Sequence, residues 1–322
     1  MKKVNIGMIG LGTVGLGTYK ILMENRDIIS KRTGLDIEVS KIYDRSFDKK
    51  AQLNSIPSNK KAESADDIIN DSDISIVVEA IGGMEPAATY ISRSLESGKS
   101  VVTPNKAVVA EHFQLFTQLA KEHNAQLAFE ASVGGAIPAI TAVLEPLSAN
   151  RFTEIMGILN GTTNYILTQM AKGMTYADAL AIAQEKGFAE ADPTADVEGI
   201  DAANKLSILM AIAMDRYVKP ADIPREGITK VTLEDIESAK KEGKVIKLIA
   251  KAAISPEGEL LYSVKPEAID QSHPLGGVNE EFNAIYVTGD MSGQLMFYGK
   301  GAGSLPTGSA VVGDIIKLAK NV

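Results

Sequence analysis

The sequence predicts an α/β fold in two parts, a doubly wound parallel sheet followed by a second, α+β domain. Short apolar runs alternate with helical patterns through the first half of the chain, and this alternation is typical of a parallel sheet covered by helices. After about residue 150 the alternation weakens and long strand-like segments follow helices, which indicates a mainly antiparallel sheet. We therefore assign residues 1–135 to the first domain and 136–302 to the second. A last amphipathic helix, at about 303–322, is expected to pack back on the first domain.

The composition limits the kinds of protein that this chain can be. Of its 322 residues, 45% are apolar, which is enough to bury a sizeable core. Cysteine is absent, and this excludes disulfides, thiolate metal sites and cysteine nucleophiles. The net charge of −8 and the aromatic content of 5% argue against nucleic-acid and anionic-membrane partners. Glycines interrupt the N-terminal stretch MKKVNIGMIGLG, which is therefore not a signal peptide, and we predict a cytoplasmic protein.

The first predicted strand, Val4–Ile9, leads into the segment GLGTVG, and a helical pattern follows to about Ser30. Glycines spaced G-x-G-x-x-G between a strand and a helix are typical of a Rossmann-type dinucleotide-binding turn. The first glycine allows the tight turn, the second lets the backbone approach a pyrophosphate, and the third lets the helix pack closely. The N–H groups that begin the helix are then available to phosphates. Five residues of this turn are candidate cofactor contacts: Gly10, Gly12, Thr13, Val14 and Gly15.

The second predicted strand ends at Asp44, and Arg45 follows it directly. A carboxylate at this place accepts hydrogen bonds from a ribose diol, which favours NAD, whereas an arginine can hold the 2′-phosphate of NADP. An exposed arginine with no ligand is an equally good interpretation of Arg45. The residues therefore leave the choice between NAD and NADP open.

Further strands are predicted at residues 74–80, 100–103 and 126–131, and Lys106 follows the second of these as a helix begins. Ligands of open parallel sheets gather beyond the carboxyl ends of the strands. A cation is disfavoured at a helix N-terminus unless an anion or a substrate oxygen lies opposite. Lys106 is therefore a candidate for contact with coenzyme and substrate, although a solvated surface lysine also fits the pattern.

The predicted strand at residues 126–131 contains Glu130, and the segment ASVGGAIPA follows. A Gly-Gly segment between apolar residues exposes carbonyl oxygens that can surround a hard cation. The same segment can be a simple crossover between domains, and the residues alone favour that interpretation.

The second half begins with a strand, a polar turn and a helix in EIMGILNGTTNYILTQM. The small residues Gly161, Thr162 and Thr163 allow close contact with a flat ring, and N-capping is their alternative role. Thr175 begins a further helix that Gly187 ends. Four strands are predicted after it, at residues 244–254, 259–269, 284–290 and 293–301, with a hairpin turn at DMSG between the last two.

Residues Val197–Met214 are predicted to form one helix, which carries Asp201 and Lys205 four residues apart on one face. From Leu206 onward the helix is apolar all round and is therefore buried. Lys205 then lies at the edge of the core, where an amine needs a carboxylate partner or has its pKa lowered. Either condition suits a proton donor or acceptor, while an exposed ion pair is the plainer alternative. A nicotinamide coenzyme moves a hydride, so its partner reaction needs such a group.

Six segments of the chain, in the same order, are familiar from one enzyme family: GMIGLGTVG, VVTPNKA, EASVGGAIP, ILNGTTNYIL, GFAEADPTADVEGIDAANKL and GKGAGSLPTGSAVVGDI. Over essentially its whole length the chain resembles the homoserine dehydrogenases, and the fifth segment is the most specific. The family reduces aspartate 4-semialdehyde to homoserine reversibly with NAD(P)H, on the route to threonine and methionine. The resemblance also implies a homodimer that forms through the second domain.

The resemblance assigns roles to individual residues. Lys205 is then the proton donor, and Lys106 assists at the same substrate oxygen. Carboxylates would bind the substrate amino acid, with Glu190 at its ammonium group. The substrate-binding set is Glu190, Asp196 and Asp201, the further coenzyme contacts are Gly187 and Gly303, and a sodium site is formed by Glu130, Val133, Gly135 and Ile137.

One departure from the family concerns a regulatory domain, and two alternative functions remain open. Many bacterial members carry a C-terminal ACT domain that senses threonine, and the chain ends at Val322, after the last core helix, so we expect no feedback through such a domain. Two other functions also fit the residues alone. One is a Rossmann reductase of another small aldehyde or keto acid, and the other is a non-catalytic regulator that senses a nucleotide.

Overall fold

A computed structural model describes residues 1–47 and 56–322 of the chain. These residues form two compact units. The first consists of Met1–Ala136 together with Ala302–Val322, and the second of Ile137–Gly301. Among the described residues no helix is both long and apolar enough to cross a membrane.

The first unit contains a five-stranded sheet in the order β2–β1–β3–β4–β5, with every neighbouring pair parallel. Its strands are short and apolar, and β3 is buried along its whole length, as expected of strands that helices cover on both faces. The predicted doubly wound fold is confirmed. The elements in chain order are β1 (Lys2–Ile9), α1 (Thr13–Glu24), α2 (Arg26–Thr33), β2 (Leu35–Tyr43), α3 (Asp66–Ile69), β3 (Ile76–Glu79), α4 (Ala87–Glu96), β4 (Ser100–Val102), α5 (Lys106–Glu122), β5 (Leu127–Ala128) and α6 (Ala131–Gly134).

Two local predictions in the first unit need correction. The helical pattern after the glycine turn is two helices, because α1 ends at Glu24 and α2 begins at Arg26. The predicted strand at residues 126–131 is only Leu127–Ala128 long. Within the described part of the chain β5 pairs only with β4, and β4 ends at Val102, opposite Ala128, so the ladder does not continue beyond Ala128. Glu130 therefore lies at the N-cap of α6 instead of within a strand.

The second unit contains a five-stranded sheet in the order β10–β9–β6–β7–β8, with every neighbouring pair antiparallel. The predicted α+β architecture is confirmed, and so is the hairpin at DMSG, because Gly289 pairs with Gly293 across it. The elements are α7 (Ala139–Leu144), β6 (Phe152–Ile158), α8 (Gly161–Met170), α9 (Tyr176–Glu185), α10 (Thr194–Val197), α11 (Ile200–Ala213), α12 (Leu233–Lys241), β7 (Lys244–Ile254), β8 (Leu260–Asp270), β9 (Phe282–Gly289) and β10 (Gly293–Lys300).

The prediction of one helix over Val197–Met214 is wrong, because the chain breaks between α10 and α11. Gly199 adopts φ +75°, in the left-handed region, where a residue without a Cβ is favoured. The carbonyl of Val197, which would continue the helix, accepts a hydrogen bond from the backbone N–H of Ile228 at 2.8 Å. The break gives α11 its own beginning, one residue before Asp201.

The last helix, α13 (Ser304–Ala319), belongs to the first unit. It packs along α1 at a place where both helices carry glycine. A Cβ at Gly17 would collide with the carbonyl oxygen of Ser304, and one at Gly308 would lie 2.8 Å from the backbone of Gly17. The two helices approach so closely that neither position has room for a side chain.

Candidate active site

The glycine turn lies at the carboxyl end of β1 and leads into α1. A Cβ at Gly10 would lie 2.6 Å from the carbonyl of Ala80, and one at Gly15 would collide with the carbonyl oxygen of Gly10. Gly12 is exposed and has open space where its Cβ would point. As the N-cap of α1, Gly12 offers no side chain to the first N–H groups of the helix. Two glycines are thus required by packing, and the third leaves an approach to a helix N-terminus that favours phosphate.

Asp44 directly follows β2 and contacts the glycine turn. Its carboxylate accepts hydrogen bonds from the backbone N–H groups of Leu11 and Ser46, both at 2.7 Å. Arg45 is exposed beside it. A cleft opens over these residues, lined also by Tyr43, Ala80 and Tyr90 among others. The structure thus places the acidic and basic candidates for ribose and 2′-phosphate at the same cleft as the glycines.

Lys106 is the first residue of α5, as the sequence predicts, and it is half-buried. The N-cap of this helix is Asn105, whose side chain accepts from the backbone N–H of Val108 at 3.4 Å and donates to the carbonyl of Gly83 at 2.7 Å. The amide contact joins the start of α5 to the loop after β3. Lys106 therefore directly follows a residue whose side chain is hydrogen-bonded both to α5 and to the loop after β3.

A buried carboxyl group, which sequence reasoning did not identify, supports the same region. Glu79 ends β3 and is fully buried. It accepts from the hydroxyl of Thr103 at 2.6 Å and from the backbone N–H of Ile81 at 2.8 Å. The Thr103 hydroxyl in turn accepts from the N–H of Asn105 at 3.0 Å. Burial raises the pKa of Glu79, and the hydrogen bonds that it accepts oppose this rise only in part. The sequence signal that could have identified Glu79 is a charged residue within an otherwise apolar strand pattern.

The segment after β5 is largely buried, and its Glu130 lies close to a second buried acid, Asp314. Glu130 is buried, and its backbone N–H donates to the carboxyl of Asp314 on α13 at 2.8 Å. Burial, with a smaller contribution from the charge of Glu130, raises the pKa of Asp314 to about 7. Val133 is buried in α6, and Gly135 follows at φ +58°. Ile137, the first residue of the second unit, is buried as well.

The second unit buries the lysine that the sequence singled out. Lys205 on α11 is 6% exposed and Asp201, one turn earlier, is 4% exposed. The Lys205 amine donates to the Asp201 carboxylate at 2.8 Å and to the carbonyl oxygen of Leu159 at 2.6 Å. The exposed ion pair that was the plainer alternative is thereby excluded. Removing one partner of such a pair leaves an uncompensated buried charge, at a cost of about 3–5 kcal/mol.

Two asparagines, neither of them singled out by the sequence, extend this cluster. Asn160 donates to the carboxylates of Asp196 at 2.7 Å and Asp201 at 2.9 Å. Asn283 on β9 donates to the carbonyl oxygen of Leu159 at 2.9 Å, the same oxygen that accepts from Lys205. Asn160 occupies the N-cap position before Gly161, and asparagine before a helix is the signal that was available. The structure thus brings the buried Asp201 and Lys205 and the partly buried Asp196 into one hydrogen-bonded network.

The other predicted residues lie outside that network. Glu190 is exposed on the loop between α9 and α10, where its carbonyl accepts from the side chain of Gln184 at 3.1 Å. Gly187 is exposed just after α9, at φ +73°. In the first unit, Gly303 is the N-cap of α13 at φ +124°. Thr162 and Thr163 serve α8, because Thr163 donates to the cap residue and Thr162 donates to the carbonyl of Phe188.

A second buried lysine provides a contrast with Lys205. Lys247 on β7 is 2% exposed, and its amine donates to Asn164 at 3.0 Å, Asn279 at 3.1 Å and the carbonyl of Val278 at 2.5 Å. Burial lowers the pKa of Lys247 to about 8. These acceptors are neutral, and the contacts join three segments of the unit. Lys247 is a structural lysine, whereas Lys205 lies among carboxylates.

Two family models match the chain in succession. Residues 10–130 match the NAD-binding domain of homoserine dehydrogenase, and residues 138–316 match the homoserine dehydrogenase model. Homoserine dehydrogenase from Bacillus subtilis is 41% identical over 323 residues, which cover 100% of this chain and 74% of the relative.

Solved structures agree with the family models. A homoserine dehydrogenase from Thiobacillus denitrificans has a TM-score of 0.94 and 40% identity, covering 99% of this chain and 74% of that one. A hyperthermophilic archaeal homoserine dehydrogenase mutant in complex with NADPH has a TM-score of 0.85 and 29% identity, covering 99% and 98%.

The fold and the site define an NAD(P)-dependent oxidoreductase. A parallel sheet with a glycine turn for a dinucleotide is combined with a separate unit that buries a lysine among carboxylates. Similarity over the full length gives the narrower assignment. The chain belongs to the homoserine dehydrogenase family.

Proposed function

We propose that this protein reversibly reduces L-aspartate 4-semialdehyde to L-homoserine with NAD(P)H, on the route to threonine and methionine. The single observation that carries the proposal is the buried Lys205 amine, held by Asp201 at 2.8 Å and by the carbonyl of Leu159 at 2.6 Å. An amine held in this way has a defined direction and a charged partner, as a proton donor requires.

The coenzyme, when bound, supplies the hydride for the aldehyde carbon. Lys205 gives the proton from its Nζ to the aldehyde oxygen, which becomes the hydroxyl of homoserine. In the oxidation of homoserine the neutral amine takes that proton back. Asp201 stabilises the ammonium form, and the Leu159 carbonyl keeps the amine directed. Lys106, at the start of α5, acts at the same substrate oxygen as a second positive group.

The substrate carries an α-ammonium and an α-carboxylate, so its recognition calls for carboxylates and donors. Asp201 and Asp196 are held in one network, and this supports a role in binding the substrate amino acid. Glu190 is exposed and therefore accessible to a ligand, and we assign it the ammonium group.

The coenzyme would be held mainly by backbone groups of the first unit. Gly12 leaves open space beside the beginning of α1, which suits a pyrophosphate. Asp44 and Arg45 line the same cleft and would bind the adenosine ribose or its 2′-phosphate. The full set that we propose is Gly10, Gly12, Thr13, Val14, Gly15, Asp44, Arg45, Lys106, Gly187 and Gly303.

A sodium ion would be held by Glu130, Val133, Gly135 and Ile137, mainly through backbone oxygens. The buried carboxyls of Glu130 and Asp314 lie close together, and a nearby cation would compensate their charge. These observations support a hard monovalent cation at this segment.

A homodimer that forms through the second unit would cover apolar groups on its sheet. Leu261 on β8 is 57% exposed, and Met296 and Tyr298 on β10 are 40% and 52% exposed. Edge strands with exposed apolar side chains invite pairing with another chain. Light scattering of the purified protein tests the dimer directly.

We also propose that the enzyme is cytoplasmic, because a chain without cysteine suits a reducing compartment.

The test of the proposal is homoserine oxidation followed at the nicotinamide absorbance band, with NAD and NADP in parallel. We expect turnover with homoserine and a loss of at least about 100-fold in kcat/KM with 1,3-propanediol, which lacks the amino and carboxyl groups. Equal rates with the two alcohols would contradict the roles of Glu190 and Asp201. An absence of any turnover with homoserine would remove the proposal itself.

A further inference from the structure

Asn160 is joined to two groups that hold the Lys205 amine, the Leu159 carbonyl and the Asp201 carboxylate. It is 5% exposed and lies directly after β6 at the N-cap of α8. Its peptide neighbour, Leu159, supplies the carbonyl that accepts from Lys205 at 2.6 Å. Its side chain donates to Asp201, the other partner of Lys205. The amine is therefore linked to residue 160 by two routes, one through the backbone and one through a carboxylate.

The Asn160 amide uses both of its ends. The oxygen accepts from the backbone N–H of Thr163 at 2.9 Å and from its hydroxyl at 3.0 Å. The nitrogen donates to Asp196 Oδ1 at 2.7 Å and to Asp201 Oδ2 at 2.9 Å. Because carboxylates accept and the backbone N–H donates, only this orientation of the amide satisfies all of its partners.

The chemistry of an amide is what this position requires. Asp201 Oδ2 accepts from both Lys205 Nζ at 2.8 Å and Asn160 Nδ2 at 2.9 Å. A neutral donor orients the carboxylates without neutralising the charge that stabilises the ammonium. A carboxylate at this position would repel both acids, and a cation would compete with Lys205. A hydroxyl would satisfy the helix cap but would be too short to reach the acids.

We propose that Asn160 is a positioning residue of this active site, which holds Asp196 and Asp201 in place and thereby aims the Lys205 amine. The inference rests on the proposed function, because it assigns Lys205 the proton transfer. Asn160 acts through Asp196 and Asp201 and does not itself bind the substrate, which the carboxylates bind. Misplacing a reacting group by about 1 Å costs on the order of 100-fold in rate.

Asn160→Ser and Asn160→Asp test the proposal, because both retain an N-cap oxygen for α8. We expect kcat for homoserine oxidation to fall about 10- to 100-fold in Asn160→Ser and further in Asn160→Asp. The rising limb of kcat against pH should also move to higher pH. Without the amide donor, Asp201 Oδ2 no longer shares its hydrogen bonding between Asn160 and Lys205 and interacts more strongly with the ammonium, and Asn160→Asp adds a carboxylate beside Asp196 and Asp201.

The matched control is Asn164→Ser, on the same helix. Asn164 is also buried, and its amide donates to the carbonyls of Val278 and Phe282. We expect this variant to lower the melting temperature while the pH profile of the folded enzyme stays unchanged. If Asn160 had a purely structural role, its variants would behave like Asn164→Ser. Their melting temperature would fall, and the rising limb of kcat against pH would stay where it is in the wild type.

Lys205→Ala, assayed beside these variants, separates this inference from the proposed function. An inactive Lys205→Ala together with wild-type kcat and an unmoved limb in either folded Asn160 variant would overturn only the positioning role. Near-normal rates in Lys205→Ala would overturn the proton-transfer assignment, and the positioning role with it. A moved limb in the Asn160 variants, with an inactive Lys205→Ala, supports both.

Discussion

The two units bury carboxyl groups in opposite ways. In the first unit, Glu79 is surrounded by neutral donors, the Thr103 hydroxyl at 2.6 Å and the Ile81 N–H at 2.8 Å, and burial raises its pKa. In the second unit, Asp201 is paired with a cation, the Lys205 amine at 2.8 Å. The first arrangement lets the acid shed its charge by taking a proton, whereas in the second a cation compensates the charge of the acid.

This difference indicates that the first unit is suited to binding an anionic ligand and the second to moving a proton. The first unit offers backbone N–H groups and a helix N-terminus, which bind an anionic ligand without any change of protonation. The second unit keeps an ammonium and a carboxylate out of water, a costly arrangement that is useful where a proton must be moved. Apart from those at Lys106, substitutions in the first unit should therefore change coenzyme binding or stability, and those around Lys205 should change turnover.

The largest expected effect comes from Lys205→Met. Loss of the amine removes the proton donor, and we expect kcat to fall about 10²- to 10⁴-fold. Coenzyme affinity, measured by fluorescence titration, should stay within about threefold, because the glycine turn belongs to the other unit. Lys247→Met is the matched control, since Lys247 is equally buried but bonds to neutral groups. Turnover of folded Lys205→Met within tenfold of wild type would break the proposed division.

A smaller effect is expected from Arg45→Ala, which tests the role of the first unit in coenzyme binding. If Arg45 holds the 2′-phosphate, a charge-assisted hydrogen bond of about 1.5–3 kcal/mol is lost. KM for NADP should then rise tenfold or more, while KM for NAD stays within twofold and kcat is unchanged. Arg32→Ala, at the exposed end of α2, is the control. An equal rise of KM for both coenzymes would assign Arg45 a general electrostatic role instead.

Local patterns in the sequence were sufficient for much of the fold and for the central pair of the site. Alternating apolar runs indicated both sheets, and the four-residue spacing of Asp201 and Lys205 put them on one face. The helix break at Gly199 was missed because glycine is tolerated within many helical patterns.

Contacts between distant segments could not be predicted in this way. Asn160 reaches Asp201 across 41 positions, and Lys205 reaches Leu159 across 46. Neither spacing leaves a periodic signal, because tertiary packing alone brings these segments together. Glu79 was read as part of an apolar strand, and its partner Thr103 follows only after β4.

The smallest expected effect is on stability, and it comes from Glu79→Gln. Because burial raises the pKa of Glu79 in the folded chain, the folded state holds its proton at a pH where the unfolded state has released it. The stability that Glu79 contributes is thus fully present below its ordinary pKa and is lost as pH rises toward the folded value. One proton of difference lowers the free energy of unfolding by about 1.4 kcal/mol per pH unit. Urea titrations from pH 4.5 to 8 should show this decline in the wild type and a flatter profile in Glu79→Gln, whose neutral amide still accepts from Ile81 and whose N–H can donate to Thr103. Parallel profiles for the two proteins would mean that Glu79 keeps its charge when buried, and the contrast with Asp201 would then rest on the identity of the partners alone.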